Sequence, residues 1–137
     1  MLKKLLHTGN PSTSLSLGLL ILRVLLSAAM LTHGYPKLMR IINGEWRFSD
    51  PLGLGVEASL TMATFAEFFC SILLMLGLTT RYAVIPLVIT MLVAWQIQHG
   101  DDPFSSQEKS FLYLIGYLSI LFTGPGKFSL DQRLFSK

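Results

Sequence analysis

Two charged residues stand inside apolar stretches of this chain and are the first candidates for chemistry. Arg23 lies in the run LILRVLLSAAMLTHGYPK, residues 20–37, and Glu67 lies in AEFFCSILLML, residues 66–76. An ionised side chain among apolar groups is costly unless a partner neutralises it. We therefore expect Arg23 and Glu67 to form an ion pair. Such a pair either fixes the register of two packed segments or handles protons or a substrate.

A second group of polar residues flanks the ends of the apolar stretches. It comprises His33, Lys37, Gln96, His99, Glu108, Lys109 and Tyr113. Polar groups that converge between apolar walls suit an amphipathic molecule such as a quinone, with His33 and Glu108 or His99 taking up protons. The same residues also fit an interfacial belt of capping and snorkelling side chains. Two histidines at similar depth suggest haem ligation, but their helix-end positions and the lack of any further haem signature disfavour it.

The single cysteine excludes several kinds of redox site. Cys70 is the only cysteine, so the chain alone forms no disulfide, no Cys-x-x-Cys redox pair, no cysteine-ligated iron–sulfur cluster and no cysteine zinc site. We predict no metal site and no cofactor held by this chain, and a quinone is expected only as a bound ligand. A lone cysteine in a membrane helix is typical of packing, because burial among apolar groups suppresses the thiolate.

The elements that must position these residues are membrane helices. Of the 137 residues 51% are hydrophobic and only 14% are charged, and the mean hydropathy is +0.54. Four apolar stretches, residues 15–32, 58–78, 82–97 and 110–123, approach the length that crosses ~30 Å of hydrocarbon. A soluble four-helix bundle would need a polar stripe on every helix, and the strings ITMLVAW and FLYLIGYLSILF lack one. The sequence therefore predicts an all-α, integral membrane four-helix bundle with short loops.

The predicted helices span residues 15–34, 57–78, 81–99 and 107–123 of a single domain, 1–137. Gly77 is expected to end the second helix, Thr79 or Thr80 to cap the third, and Pro86 to lie early in the third. We expect the first two helices to be antiparallel. The depth of a residue in the membrane can then be counted from residue 15 on the first helix and from residue 78 on the second, at ~1.5 Å per residue. By this count Arg23 and Glu67 differ in depth by about one helical turn. The depth count thus supports their pairing. If the first, third and fourth helices pack together, the second polar group converges on one pocket, with Arg23 and Glu67 at its floor.

The basic residues favour one orientation in the membrane. Four crossings place both termini and Arg81 on one side of the membrane, and that side holds six lysines and arginines against four on the other. By the positive-inside rule both termini should be cytoplasmic. Lys3 and Lys4 ahead of an apolar run could also begin a secretory signal, but Arg23 would interrupt its apolar region, so the first segment is expected to remain as a membrane helix.

The expected partners follow from composition. The net charge of +3 acts as a topology signal, and no stretch interleaves basic and aromatic residues as a nucleic-acid surface does. The lipid bilayer is therefore the expected environment, with no nucleic acid. A partner redox protein and a homo-oligomer are both compatible with the sequence.

Three motifs carry a resemblance to a known family: ILRVLLSAAMLTHGYPKL, AEFFCSILLMLGLTTRYA and GPGKFSLDQRL. In this order they resemble the DoxX family of small bacterial membrane proteins over residues 19–134. The matching positions are Arg23, His33, Gly34, Lys37, Glu67, Gly77, Arg81, Gly124, Pro125, Gly126 and Asp131. The resemblance implies a four-helix membrane protein that is similar to a subunit of a thiosulfate:quinone oxidoreductase.

Two functions from different classes fit these residues. The first is a membrane-embedded subunit of a quinone-linked redox system, in which the polar residues within the bundle bind a quinone and a partner supplies electrons. The second is a non-catalytic membrane module that binds a lipid or small solute, or scaffolds a partner protein. The same polar residues serve both functions, so the residues alone do not decide between them.

The predicted topology is testable by cysteine labelling in intact cells. A membrane-impermeant thiol reagent should modify Ser49→Cys, in the first external loop, and should reach Ser136→Cys only after the membrane is permeabilised. The unsubstituted chain, with Cys70 alone, is the control. Labelling of Ser136→Cys in intact cells would reverse the orientation.

Overall fold

The structure is a computed structural model that describes residues 10–135. Lys3, Lys4, Ser136 and Lys137 lie outside the described residues. Between residues 10 and 135 the chain forms helices and no strand, which confirms the all-α class. The helices are α1 (Thr13–Ile42), α2 (Val56–Leu76), α3 (Thr80–Gln98), α4 (Phe104–Thr123) and α5 (Leu130–Phe135).

The helices have apolar outer surfaces and polar groups inside. In the part of the chain that the structure describes, α1, α2 and α3 are long and apolar enough to cross a membrane. On α1, Ile21 and Leu25 are more than half exposed, whereas Arg23 and Ser27 are buried. Exposed apolar side chains beside a buried charge on the same helix fit a helix that contacts lipid. The membrane environment predicted from composition is therefore supported. Helix α4, of 20 residues, is not among those three candidate spans.

Helix α1 is longer than predicted. It continues to Ile42, through Pro36, instead of ending at residue 34, so the loop to α2 is shorter than the predicted helix bounds of 15–34 and 57–78 imply. Proline removes one main-chain donor, but a membrane favours continued helix because unpaired backbone groups are costly in lipid. The extra two turns bring Lys37 into the helix, where its ammonium group lies 3.4 Å from the carbonyl oxygen of His33.

The turn between α2 and α3 is held by α5. Gly77 ends α2 with a φ of 67°, as predicted, and a Cβ there would lie 2.5 Å from the Cβ of Ser129. Thr79 occupies the N-cap position of α3, but its side chain makes no capping bond. Instead the buried carboxylate of Asp131 accepts hydrogen bonds from the main-chain N–H groups of Thr79 and Thr80, at 2.6 and 2.8 Å. A carboxylate at this position also interacts favourably with the positive end of the helix dipole.

Arg23 is bound at the same end of the molecule, and the predicted ion pair with Glu67 is wrong. Its guanidinium donates to the carbonyl oxygens of Pro125 at 2.6 Å, Phe128 at 2.8 Å and Met75 at 3.4 Å. The carbonyl of Met75 belongs to the last turn of α2, where the helix dipole is negative and favours a cation. Arg23 therefore ties α1 to the end of α2 and to the segment that follows α4.

The Asp131 cap predicts a stability effect. Asp131→Ala should lower the free energy of unfolding by about 2–3 kcal/mol, because two main-chain donors lose a charged acceptor in a buried site. The exposed Asp101 provides a matched control. Asp101→Ala should change the free energy of unfolding by less than about 0.5 kcal/mol. Unfolding in detergent, followed by circular dichroism, measures both. Equal stability of the two variants would contradict the capping role.

Candidate functional site

The register of α1 and α2 is set where their main chains touch. A Cβ at Gly34 would lie 2.5 Å from both the carbonyl carbon and the carbonyl oxygen of Glu67, so only glycine fits. Small residues at a membrane helix interface permit such close approach. Gly34 thus lies level with Glu67, eleven residues along α1 from Arg23. At ~1.5 Å per residue this separates Arg23 from Glu67 by roughly 16 Å along the helix axis, which explains why the two do not pair.

Lys37 is the partner of Glu67. Its Nζ lies 2.8 Å from Oε2 and 3.0 Å from Oε1 of Glu67, so the ammonium bridges both carboxylate oxygens. The side chain of Glu67 is only 7% exposed, and that of Lys37 is 18% exposed. Removing one member of a buried pair strands the other charge and costs about 3–5 kcal/mol. Arg23 and Glu67 are therefore satisfied separately, by partners that lie toward opposite ends of α1.

Two irregular helical segments contribute to the same region. Residues Phe65–Cys70 of α2 and Val93–Gln98 of α3 are π-helical. A π-helical turn widens the helix and redirects the side chains that follow, and such turns are frequent at functional sites. Glu67 lies in the first segment, and Gln98 and His99 lie at the end of the second.

A cavity of about 340 Å³ lies between α2, α3 and the α1–α2 loop. Lys37, Glu67, Gln98 and His99 contribute its polar groups. The remaining walls are mainly apolar and are formed by Phe48, Pro51, Leu52, Leu54, Met62, Ala63, Ile89, Met91, Val93 and Ala94, with Ser49, Ser59 and Thr90. An apolar cavity with a few convergent polar groups is the usual form of a small-molecule site.

The α1–α2 loop covers the cavity in a defined conformation. The ring of Phe48 lies 5.9 Å from Nζ of Lys37, within the range of a cation–π contact. Asp50 accepts hydrogen bonds from the hydroxyl of Ser59 and from the main-chain N–H groups of Leu54 and Gly55. These bonds, first that of Ser59, lower the pKa of Asp50. The loop is thereby fastened to the first turn of α2.

The cavity does not lie where the sequence predicted it, between the first, third and fourth helices with Arg23 and Glu67 at its floor. Of the nine predicted site residues it brings together Lys37, Glu67 and His99. His99 also pairs with Asp102, with Nδ1 2.8 Å from the carboxylate. The other six do not line it: Arg23, His33, Gln96, Glu108, Lys109 and Tyr113. Gln98, in the same π-helical turn of α3 as Gln96, lines the cavity instead.

Three aromatic residues form a separate cluster between α1 and α4. The rings of His33 and Tyr113 meet edge to face at 6.1 Å, and those of Tyr113 and Tyr117 stack at 6.0 Å. Tyr117 is fully buried. Glu108 and Lys109, one turn earlier in α4, are exposed. These residues do not line the cavity. His33 and Tyr113 nevertheless bring two of the predicted site residues, one from α1 and one from α4, into contact.

The loop residues and the correct ion pair were not predicted from the sequence. Asp50 and Phe48 belong to a segment that shows only turn signals, and no periodicity relates them to the cavity. A signal for the pair did exist. Gly34 is a small residue in an apolar helix and marks a close helix contact, and Lys37 lies one turn beyond it on the same face.

Comparison with known proteins places the chain among membrane proteins. The DoxX family model matches residues 18–100. The chain is 29% identical to an uncharacterized membrane protein of Mycobacterium tuberculosis, over 96% of this chain and 86% of that protein. It is 30% identical to an uncharacterized protein of Haemophilus influenzae, over 87% of this chain and 92% of that protein. No solved structure gives a significant match.

The contact at Gly34 can be tested with a matched pair of glycines. Gly34→Ala should lower the free energy of unfolding by about 1–3 kcal/mol, because the added methyl group forces the main chains of α1 and α2 apart. At Gly18, also in α1, an added Cβ would meet nothing within 4 Å, so Gly18→Ala should be neutral or slightly stabilising. Thermal unfolding in detergent compares them. Equal losses in both variants would contradict the close packing at Gly34.

Proposed function

Because this chain belongs to the DoxX family of membrane proteins, we propose that it is a membrane-embedded subunit of a quinone-linked redox system. It binds the head group of a quinone, or of a similar amphipathic molecule, in the cavity beside Lys37 and Glu67. The DoxX family is linked to quinone-related oxidoreductase subunits. The observation that carries the proposal is the cavity itself, in which a buried ion pair faces mainly apolar walls.

The residues of the cavity suit the two oxidation states of a quinone. A quinone carbonyl is an acceptor, and the ammonium of Lys37 is a donor that is already held in place by Glu67. A quinol hydroxyl is a donor, and the carboxylate of Glu67 can accept from it. Met62, Met91 and Val93 offer apolar contact to the ring. The site can therefore hold the head group before and after reduction.

Reduction of a quinone to a quinol consumes two electrons and two protons. Since the single cysteine of this chain cannot hold an iron–sulfur cluster, a partner redox protein or subunit supplies the electrons. His99 lies at the loop end of the cavity, beside Asp102. It is the group best placed to exchange protons with water as the quinol forms. The role of this chain is to bind and orient the quinone and to bring protons to it.

The chain takes a defined position in the membrane under this proposal. We place it in the bacterial inner membrane with four crossings and both termini in the cytoplasm. α4 is the fourth crossing, because it packs along α3 and exposes large apolar residues such as Leu112 and Phe122. Ser16 in the first turns of α1 accepts a hydrogen bond from the main-chain N–H of Lys127, beyond the end of α4. An even number of crossings is consistent with this contact.

Quinone binding can be tested without loss of the fold. In nanodiscs, the protein should bind a short-chain benzoquinone analogue, measured by isothermal titration calorimetry. The double variant Lys37→Met/Glu67→Met should bind it at least about tenfold more weakly, since the head group loses both polar partners. Replacing both charges by apolar groups of similar length leaves neither charge stranded, so the fold should be retained.

The matched control changes two charges that lie away from the cavity. Glu57→Met/Lys127→Met should bind the analogue as the unsubstituted protein does. Circular dichroism confirms that both double variants are folded. Equal binding by the two double variants would refute the assignment of the site. If the unsubstituted protein binds no quinone, the function left is that of a non-catalytic membrane module.

A further inference from the structure

We propose that the cavity receives its ligand sideways from the bilayer, through a portal between α2 and α3 that is flanked by Met62 and Ile89. The ligand is then a molecule with a ring head group and a long apolar tail, and the tail stays among the lipids while the head group lies beside Lys37 and Glu67. This inference rests on the proposed function and specifies its substrate class as a lipid-tailed quinone, in contrast to a water-soluble one.

Two residues that line the cavity are also exposed on the outside of the helices. Met62 on α2 and Ile89 on α3 both border the cavity, yet they are 52% and 53% exposed. Both belong to candidate membrane spans. Their outer surfaces therefore face lipid while their inner surfaces face the cavity. We infer that the portal lies between these two apolar side chains.

The charged groups of the cavity are less exposed than the two residues that flank the portal. Glu67 is 7% exposed at its side chain and is bound by Lys37, which reaches it from α1. Ala63 and Met91 are buried and lie among the walls of the cavity. A molecule that enters past Met62 and Ile89 thus meets apolar walls before the ion pair. This order matches an amphipathic ligand that enters with its polar head first.

The α1–α2 loop covers the cavity on the side away from the lipid. Phe48, Pro51 and Leu52 form that part of the wall, and the bonds of Asp50 fasten the loop to α2. Leu52 and Leu54 are nevertheless 46% and 55% exposed. Exposed apolar side chains gain free energy when they leave water, so the loop favours contact with the bilayer surface. Entry from the water would pass this loop, which is fastened to α2, whereas entry past Met62 and Ile89 passes only side chains of α2 and α3.

The size of the cavity limits what it can enclose. A volume of about 340 Å³ is near the lower limit for ligand sites, which span roughly 300–1,000 Å³. It accommodates a substituted ring but not a polyisoprenoid chain as well. A long-tailed ligand must therefore leave its tail outside, and the portal is the apolar exit that the lining residues provide.

The experiment compares two quinones with the same ring, one without a tail and one with an isoprenoid tail, in nanodiscs of phosphatidylcholine. Met62→Trp and Ile89→Trp place a bulky ring where the tail would lie. Each should weaken binding of the tailed quinone at least about tenfold by calorimetry. Binding of the tailless quinone should change by less than about twofold, because its ring lies inside the portal.

The matched controls are lipid-facing residues of the same two helices that do not line the cavity. Ile72→Trp on α2 and Ile85→Trp on α3 should leave the binding of both quinones unchanged. Unchanged affinity for the tailed quinone in both portal variants would overturn the portal while leaving the head-group site intact. Equal weakening of both quinones would overturn it as well, since the tryptophan would then distort the cavity. Binding of neither quinone to the unsubstituted protein would overturn the proposed function and the portal together.

Discussion

The contact between the main chains of α1 and α2 at Gly34 is the constraint on which the rest of the structure depends. Lipid is as apolar as a leucine side chain, so helices in a membrane gain little from hydrophobic burial and associate through close packing. A glycine at position 34 lets α1 reach the backbone of Glu67 itself. That contact fixes which residues of the two helices face each other. It sets Glu67 within reach of Lys37 and out of reach of Arg23.

The two charged residues of α1, Arg23 and Lys37, have different kinds of partner, which suits the first to a structural role and the second to ligand binding. Arg23 is 2% exposed, and each nitrogen of its guanidinium donates to a main-chain carbonyl oxygen. These bonds hold the group within the protein, away from the cavity. Lys37 and Glu67 instead face the cavity, and their pairing leaves room for a further donor or acceptor. The first centre holds the end of the molecule together, and the second is available for binding.

Irregular helical backbone borders the cavity on both α2 and α3. The π-helical turns at Phe65–Cys70 and Val93–Gln98 both border the cavity. Such turns are frequent at functional sites. The α1–α2 loop forms the remaining wall of the cavity. The π-helical turns remain helical, as a membrane favours, while they border a site of ligand size.

The sequence by itself determined the helical class, the membrane environment, the family and the turn at Gly77, because these depend on composition and on local patterns. It also identified Lys37, Glu67 and His99 as candidates, since charged and titratable groups in apolar surroundings are conspicuous. The tertiary structure alone decided that Glu67 binds Lys37 and that Arg23 binds carbonyl groups. Pairing of side chains depends on the register between the helices. The depth count derived that register from the predicted helix ends. In the structure the contact at Gly34 sets it instead. The cavity was likewise beyond the sequence, because it depends on π-helical turns and on a loop conformation that leave no periodic signal.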